Sequence, residues 1–289
     1  MDIQKIVTVL DKPKHDQVAW RRTLELQKVT GAKAEVVSFA WNAMCESSSG
    51  LSADERRQLR HSLVEERKAW LKELVADKPV RSREIWTHDI ARWVIEEVEK
   101  KKPDLVVKTV HKSGSLVHTP IDWQLLQDCP APVLLTTKRR RLSKRVVLAA
   151  IDPRATDTKH RHLNCNVLEA AHRYAALYDA TVHVVFAVEV SKVLLDLNII
   201  GERASKKKVI DKITPELNRL LAPYNIPKSR IHMPVGKAGA VVAQTARELK
   251  VDTLVVGTYA QRARRVVGLG NTAQRIVTKS VCDVLAVHP

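Results

Sequence analysis

Val146-Val147-Leu148-Ala149-Ala150-Ile151-Asp152 is the second appearance of a pattern first met at Ile6-Val7-Thr8-Val9-Leu10-Asp11. Each is a short apolar run closed by aspartate. Apolar runs without alternation suit parallel strands covered on both faces, here ending at the carboxyl edge of a sheet. Helical stretches follow at Asp16 to Thr30 and at Thr158 to Tyr178, then strands at Ala34 to Ala40 and at Thr181 to Val188. A long helix from Ser52 to Ala76, with Glu55 at capping-box spacing from Ser52, answers one from Ser205 to Ala222. Strands Arg83 to Thr87 and Arg230 to Val235 each lead into a further helix. Pro103-Asp104-Leu105-Val106-Val107-Lys108-Thr109 then resembles Val251-Asp252-Thr253-Leu254-Val255-Val256-Gly257-Thr258, and Pro132-Val133-Leu134-Leu135 resembles Asp283-Val284-Leu285-Ala286. The sequence predicts an α/β chain of two tandem open five-stranded parallel-sheet domains, residues 1–138 and 139–289, with helices on both sheet faces. A repeat this long marks duplicated domains rather than the short units of a solenoid.

Charge separates the two copies. Lys and Arg number 23 against 20 Asp and Glu in residues 1–138, but 26 against 12 in residues 139–289, so most of the net +17 belongs to the second copy. Such a field attracts polyphosphates, nucleic acid or anionic surfaces without distinguishing among them. The densest cluster, Lys138-Arg139-Arg140-Arg141-Leu142-Ser143-Lys144-Arg145, falls between the copies and reads as a solvated linker. No apolar run is long enough to span a bilayer and no export signal opens the chain, so no membrane insertion and a cytoplasmic location are expected. Cys45, Cys129, Cys165 and Cys282 stand far apart, as buried thiols in a reducing compartment do.

In an open α/β sheet, ligands bind beyond the carboxyl ends of the strands where strand order reverses. Asp152 closes the first strand of the second copy and Gly257 its fourth; if those strands are neighbours, the two residues flank one crevice. From Gly257 a loop runs through Ala260, Arg262, Arg264, Arg265 and Gly270 into a helix expected to begin near Asn271 or Thr272. Gly257 permits close approach of a sugar or phosphate, and Gly270 leaves its backbone N–H unobstructed. Asn271 and Thr272 can cap the helix beside unpaired N–H groups and the positive end of its dipole. The arrangement suits a di- or triphosphate, although glycine-rich turns also shape connections that bind nothing. Asp152 reads either as an acceptor for a base or ribose, or as a helix cap. Neither GxxxxGK(S/T) nor GxGxxG is present at these turns, which weighs against a P-loop ATPase and a dinucleotide oxidoreductase.

In the first copy Lys108 replaces the small residue at the strand end and no glycine precedes the helix expected at Thr119-Pro120, so that copy is read as having lost its site. His88, His111 and His118 lack a metal-ligand spacing, and no metal is expected. Trp86, Trp93 and Trp123 read as packing residues, and Ser113, Ser143 and Ser205 carry no signature of a nucleophile, so no catalytic residue is assigned.

The loop from Gly257 resembles the universal stress protein family, whose nucleotide-binding members carry G-x2-G-x9-G-(S/T). Gly257, Ala260, Gly270 and Asn271 stand at the four positions, with Thr272 following; Ala260 and Asn271 depart from the pattern. The resemblance implies that Asp152 and Val188 border adenine, that Gly257 approaches the ribose, and that Gly270, Asn271 and Thr272 hold the phosphates of ATP or ADP. Duplication extends it along the chain to the tandem-domain type. Gly268-Leu269-Gly270-Asn271-Thr272-Ala273, Thr119-Pro120-Ile121-Asp122-Trp123 and Leu51-Ser52-Ala53-Asp54-Glu55-Arg56 carry that likeness. It implies strand order 3-2-1-4-5 in each half and a stress-response binding protein without an established turnover reaction. A phosphorylated metabolite other than adenine nucleotide, or an electrostatic contact with nucleic acid, remain the competing partners. The apolar fifth strands, around Pro132 to Thr136 and Val284 to His288, are read as pairing the two domains intramolecularly, and a homodimer stays compatible with the sequence.

Overall fold

The computed structural model describes residues 2–46, 50–110, 121–138, 145–189, 202–259, 276 and 282–289, with backbone alone for 202–206. The chain divides into two units, Asp2–Thr136 and Thr137–Pro289. The first runs β1 (Lys5–Val9), α1 (Val18–Thr30), β2 (Lys33–Ala40), α2 (Ala53–Val75), β3 (Val80–Trp86), α3 (Ile90–Lys101), β4 (Leu105–Thr109), α4 (Ile121–Asp128) and β5 (Val133–Thr136). The second runs β6 (Val146–Ala150), α5 (Thr158–Ala176), β7 (Thr181–Val185), α6 (Glu202–Leu221), β8 (Ile231–His232), α7 (Ala238–Glu248), β9 (Thr253–Gly257) and β10 (Asp283–Val287).

Within the first unit β1 pairs with β2 and β4, β2 with β3, and β4 with β5, all parallel, giving the order β3-β2-β1-β4-β5. Within the second, β6 pairs with β7 and β9, β7 with β8, and β9 with β10, again all parallel, giving β8-β7-β6-β9-β10. Each order is 3-2-1-4-5 as expected. The registers also align the copies residue by residue. Ile6 faces Ala34 and Leu105 as Val147 faces Val182 and Thr253, so Asp11 corresponds to Asp152 and Thr109 to Gly257.

Local sequence explains the elements. Ser52 and Glu55 form the expected capping box at α2, with the Ser52 N–H donating to the Glu55 carboxylate at 2.8 Å. Gly31 ends α1 in the left-handed conformation, φ 70°, where its N–H reaches the Gln27 carbonyl at 2.9 Å. An aspartate opens the fourth strand of each copy and takes up N–H groups at the start of the first: Asp104 accepts from Gln4 and Lys5, and Asp252 accepts from Val146. Leu10, Trp20, Val36, Leu71 and Val75 form one core cluster, pinning α1 and α2 to the first sheet.

The copies differ at their third strands. β3 spans seven residues, whereas β8 spans two, and beyond it, among the described residues, Val188 alone bridges to Val235. Phe186 N–H reaches the His232 carbonyl and Val188 N–H the Pro234 carbonyl, both at 2.9 Å. Parallel register would have residue 234 donate to the Phe186 carbonyl, but Pro234 has no N–H to give.

β8 is held to β7 by side chains as well. His183 Nδ1 and His232 Nε2 lie 2.9 Å apart with their rings 6° from coplanar. Such a bond requires a neutral imidazole. Burial lowers the pKa of both histidines from the ordinary 6.5, with His232 and Arg230 adding to the effect at His183 and Glu248 opposing it at His232. Because the folded values lie below the unfolded one, the stability these groups contribute is complete above about pH 6.5 and is lost as pH falls through the folded values. Thermal melts should therefore show a falling Tm between neutral pH and pH 5, and a His183→Gln, His232→Gln double variant should lose much of that slope. An identical slope in both proteins would exclude the pair as its source.

Candidate functional site

β6 lies between β7 and β9, so the carboxyl ends of three adjacent strands carry Asp152, Val188 and Gly257 to one edge of the C-terminal sheet. Ala260, Gly270, Asn271 and Thr272 lie outside the described residues.

The main chain of Asp152 is fixed by an amide side chain. Asn164, buried on α5, accepts from the Asp152 N–H at 3.0 Å and donates to its carbonyl at 2.8 Å. The N-terminal unit reaches the same result with Gln17, which accepts from the Asp11 N–H at 3.2 Å and donates to the Lys12 and His15 carbonyls. Asp152 is not the cap of the following helix. That role belongs to Asp157, which accepts from the His160 N–H at 2.9 Å and lies 2.5 Å from His160 Nδ1.

The Asp152 carboxylate turns back onto its own Asp152-Pro153-Arg154-Ala155 turn. Oδ1 accepts from the Arg154 N–H at 3.0 Å and from Nε at 2.9 Å, while Oδ2 accepts from Nη2 at 3.0 Å. The guanidinium carbon stands 5.3 Å from the centroid of the buried Phe186 ring, just beyond β7. The hydrogen bond to Asp152 raises the Arg154 pKa further, with the Glu189 charge contributing. Sequence reasoning missed Arg154, whose only signal was its place two residues after the strand-end aspartate.

Val188 is fully buried, packed with Phe186 and with Ile213 of α6. Both of its main-chain groups are engaged, the N–H by Pro234 and the carbonyl by the Gly236 N–H at 3.0 Å. Gly257 answers a packing demand. A Cβ there would stand 2.5 Å from Cγ of Leu163 on α5, so the bare backbone lets that helix close on β9. Thr258 follows with its hydroxyl 3.2 Å from His288 Nδ1, and Tyr259 sets its ring 4.4 Å from that of His160. Burial, with the Asp157 charge, pushes the Tyr259 hydroxyl up to about 12.

Register corrects the expectation about the first copy: Thr109, not Lys108, stands at the position of Gly257. The Thr109 hydroxyl accepts from the Ala19 N–H of α1 at 3.1 Å, filling space that its counterpart leaves to Leu163. Lys108 occupies the position of Val256 and makes a buried ion pair with Asp122 of α4 at 2.6 Å. Of the histidines considered as ligands, His88 packs on Trp41 with ring centroids 5.8 Å apart, and His111 and His118 lie outside the described residues.

The profile of the Universal stress protein family matches residues 2–137 and again 145–288. The chain belongs to the universal stress protein family, with two domains of that family in tandem. Along its whole length it is similar to universal stress protein E of Escherichia coli K12, 26% identical over 99% of this chain and 94% of the relative. The fold matches a functionally unknown protein from Pseudomonas aeruginosa PAO1 with TM-score 0.72 and 24% identity, over 99% of this chain and 93% of the other. It also matches a universal stress protein from Archaeoglobus fulgidus with TM-score 0.62 and 14% identity, over 98% of both chains.

The contact at Gly257 yields a stability test. Gly257→Ala should destabilise the chain by about 1–3 kcal/mol in urea unfolding, the usual range for an overpacked core. Leu163→Ala in the same background should recover part of that loss, because the two changes share one space. Simple additivity of the two losses would reject the packing role.

Proposed function

We propose that the C-terminal unit binds an adenine nucleotide, ATP or ADP, and that the chain works as a nucleotide-responsive regulatory protein of the cytoplasmic stress response rather than as an enzyme. One observation carries this reading. Asp152, Val188 and Gly257 stand on adjacent strands at the carboxyl edge, beside the β6–β9 boundary where strand order reverses. Asp152 and Val188 border the base, Gly257 faces the ribose, Ala260 lies in the loop that follows, and Gly270, Asn271 and Thr272 receive the phosphates. The basic excess of residues 139–289 favours a polyphosphate, while of the four cysteines expected to be buried, Cys129 and Cys282 are, Cys45 is partly so and Cys165 is exposed. Among the described residues no helix is long and apolar enough to cross a membrane.

A phosphorylated metabolite without adenine preference is the second reading. It is favoured by Ala260 and Asn271, which depart from the family pattern, and by the Val188 main-chain groups, which are already paired. Calorimetric titration of the full chain with ATP, ADP and pyrophosphate at low and physiological salt separates the readings. Saturable binding of ATP or ADP, retained at physiological salt and stronger than that of pyrophosphate, is expected. Equal binding of all three supports the second reading. Weak binding that disappears with salt points to electrostatic contact of the kind nucleic acid makes.

The N-terminal unit, in this proposal, serves as an intramolecular partner. β5 and β10 are apolar strands at the ends of their own sheet orders, and an exposed apolar edge invites pairing with other chains, which favours mutual antiparallel pairing of the two domains. A chain truncated to begin at Arg139 should self-associate or melt at lower temperature. A monomer with unchanged melting and ligand binding would remove the partner role.

A further inference from the structure

Arg154 is a charged group at the base end of the crevice that the nucleotide reading leaves without a task. Its guanidinium is planar and donates to both oxygens of the Asp152 carboxylate. It also lies against the Phe186 ring, beside the strand end that carries Val188. A purine approaching Asp152 would bring the same features: a flat face and N–H donors directed at that carboxylate. The side chain of Arg154 is 36% exposed and that of Asp152 53%, so the pair sits at the mouth of the crevice rather than in the core.

The turn does not need the guanidinium, since the Asp152 carboxylate already accepts from the Arg154 main-chain N–H at 3.0 Å, a bond that any residue at this position keeps. The Asp152-to-Ala155 turn already has a backbone bond from the Ala155 N–H to the Asp152 carbonyl at 3.2 Å, proline at its second position, and Asn164 holding its first residue. The N-terminal unit, whose corresponding segment is Asp11-Lys12-Pro13-Lys14, fixes its loop with Gln17 and has Pro13 where Arg154 stands. The arginine is thus confined to the copy that carries the proposed site.

We infer that Arg154 is an internal competitor for the base end of the crevice, an autoinhibitory contact that must leave Asp152 before a purine can take its place. This rests on the nucleotide reading of the same site. The competent state is then a minority, and the apparent affinity is reduced by the fraction of chains in which the pair is open. A partly exposed bidentate pair is a modest constraint, which sets the expected reduction at about three- to tenfold.

Lysine retains the positive charge but lacks the planar fork that grips both carboxylate oxygens. Arg154→Lys and Arg154→Ala therefore separate release of Asp152 from loss of charge. ATP titrated calorimetrically into the full-length wild type and both variants should bind about three- to tenfold more tightly to each variant, while Asp152→Ala weakens binding. Melting of the ligand-free proteins, nearly unchanged, would show that the gain does not arise from refolding. Equal affinity in wild type and both variants overturns the competitor and leaves the nucleotide reading standing. Weaker binding in both variants also overturns it and makes Arg154 a ligand contact. Absence of saturable ATP binding in all of the proteins overturns both readings together.

Discussion

A parallel strand satisfies its backbone only through neighbours on each side, and β1 and β6 each have two: β2 and β4 in one unit, β7 and β9 in the other. Their registers determine which residue emerges at the carboxyl edge. Since side chains alternate between sheet faces, a slip of one position would exchange the faces of every residue in the strand. Asp104 and Asp252 bind the amino ends of these strands through main-chain N–H groups. Gln17 and Asn164 hold the other ends. With both ends fixed, Asp11 and Asp152 have little freedom of position, and the chemistry of each crevice depends on what surrounds that point.

Those surroundings diverge between the copies. In the C-terminal unit the fourth strand ends in glycine and Leu163 fills the space. In the N-terminal unit it ends in Thr109, bonded to the start of α1, after Lys108 has turned to the buried Asp122. Removing one member of a buried ion pair strands the other and typically costs about 3–5 kcal/mol, whereas replacing both by apolar groups can be nearly neutral. Lys108 and Asp122 are therefore held as a pair, since each makes the other costly to change alone. Asp122 lies in the first turn of α4, where its negative charge also complements the helix dipole. An anion approaching that helix start would meet a carboxylate already there.

What could be read from the sequence followed from short-range rules. The duplicated apolar runs, the aspartates that close them and the Ser52–Glu55 cap all depend on neighbours within a few positions, and the folded chain contains them. β8 was overestimated because the run Arg230 to Val235 looks apolar enough for a strand, while the effect of Pro234 depends on which of its sides faces β7. The residue equivalent to Gly257 in the first copy needed the register, since Lys108 and Thr109 are adjacent and either could have ended the strand. The glycine itself was legible as a special position, but its contact with Leu163 crosses from one element to another and leaves no local trace. Arg154 was hidden for a different reason: Asp-Pro-Arg reads as an ordinary turn, and only the rotamers turn it into a clamp.

The charge of the C-terminal half gives this geometry its importance. A field carrying 26 basic against 12 acidic residues attracts any polyanion, and attraction at that range is blind to the base attached to the phosphates. If the crevice takes a nucleotide as proposed, discrimination has to come from short-range contacts at the base end, where donors and acceptors meet a base edge. Val188 offers a buried side chain and main-chain groups already engaged, which provides shape without hydrogen-bonding capacity. Asp152 is the remaining polar group among the predicted residues described there, and its carboxylate is shared with Arg154. Among the described residues, base selectivity in the proposed site would pass through that carboxylate and the cation that holds it.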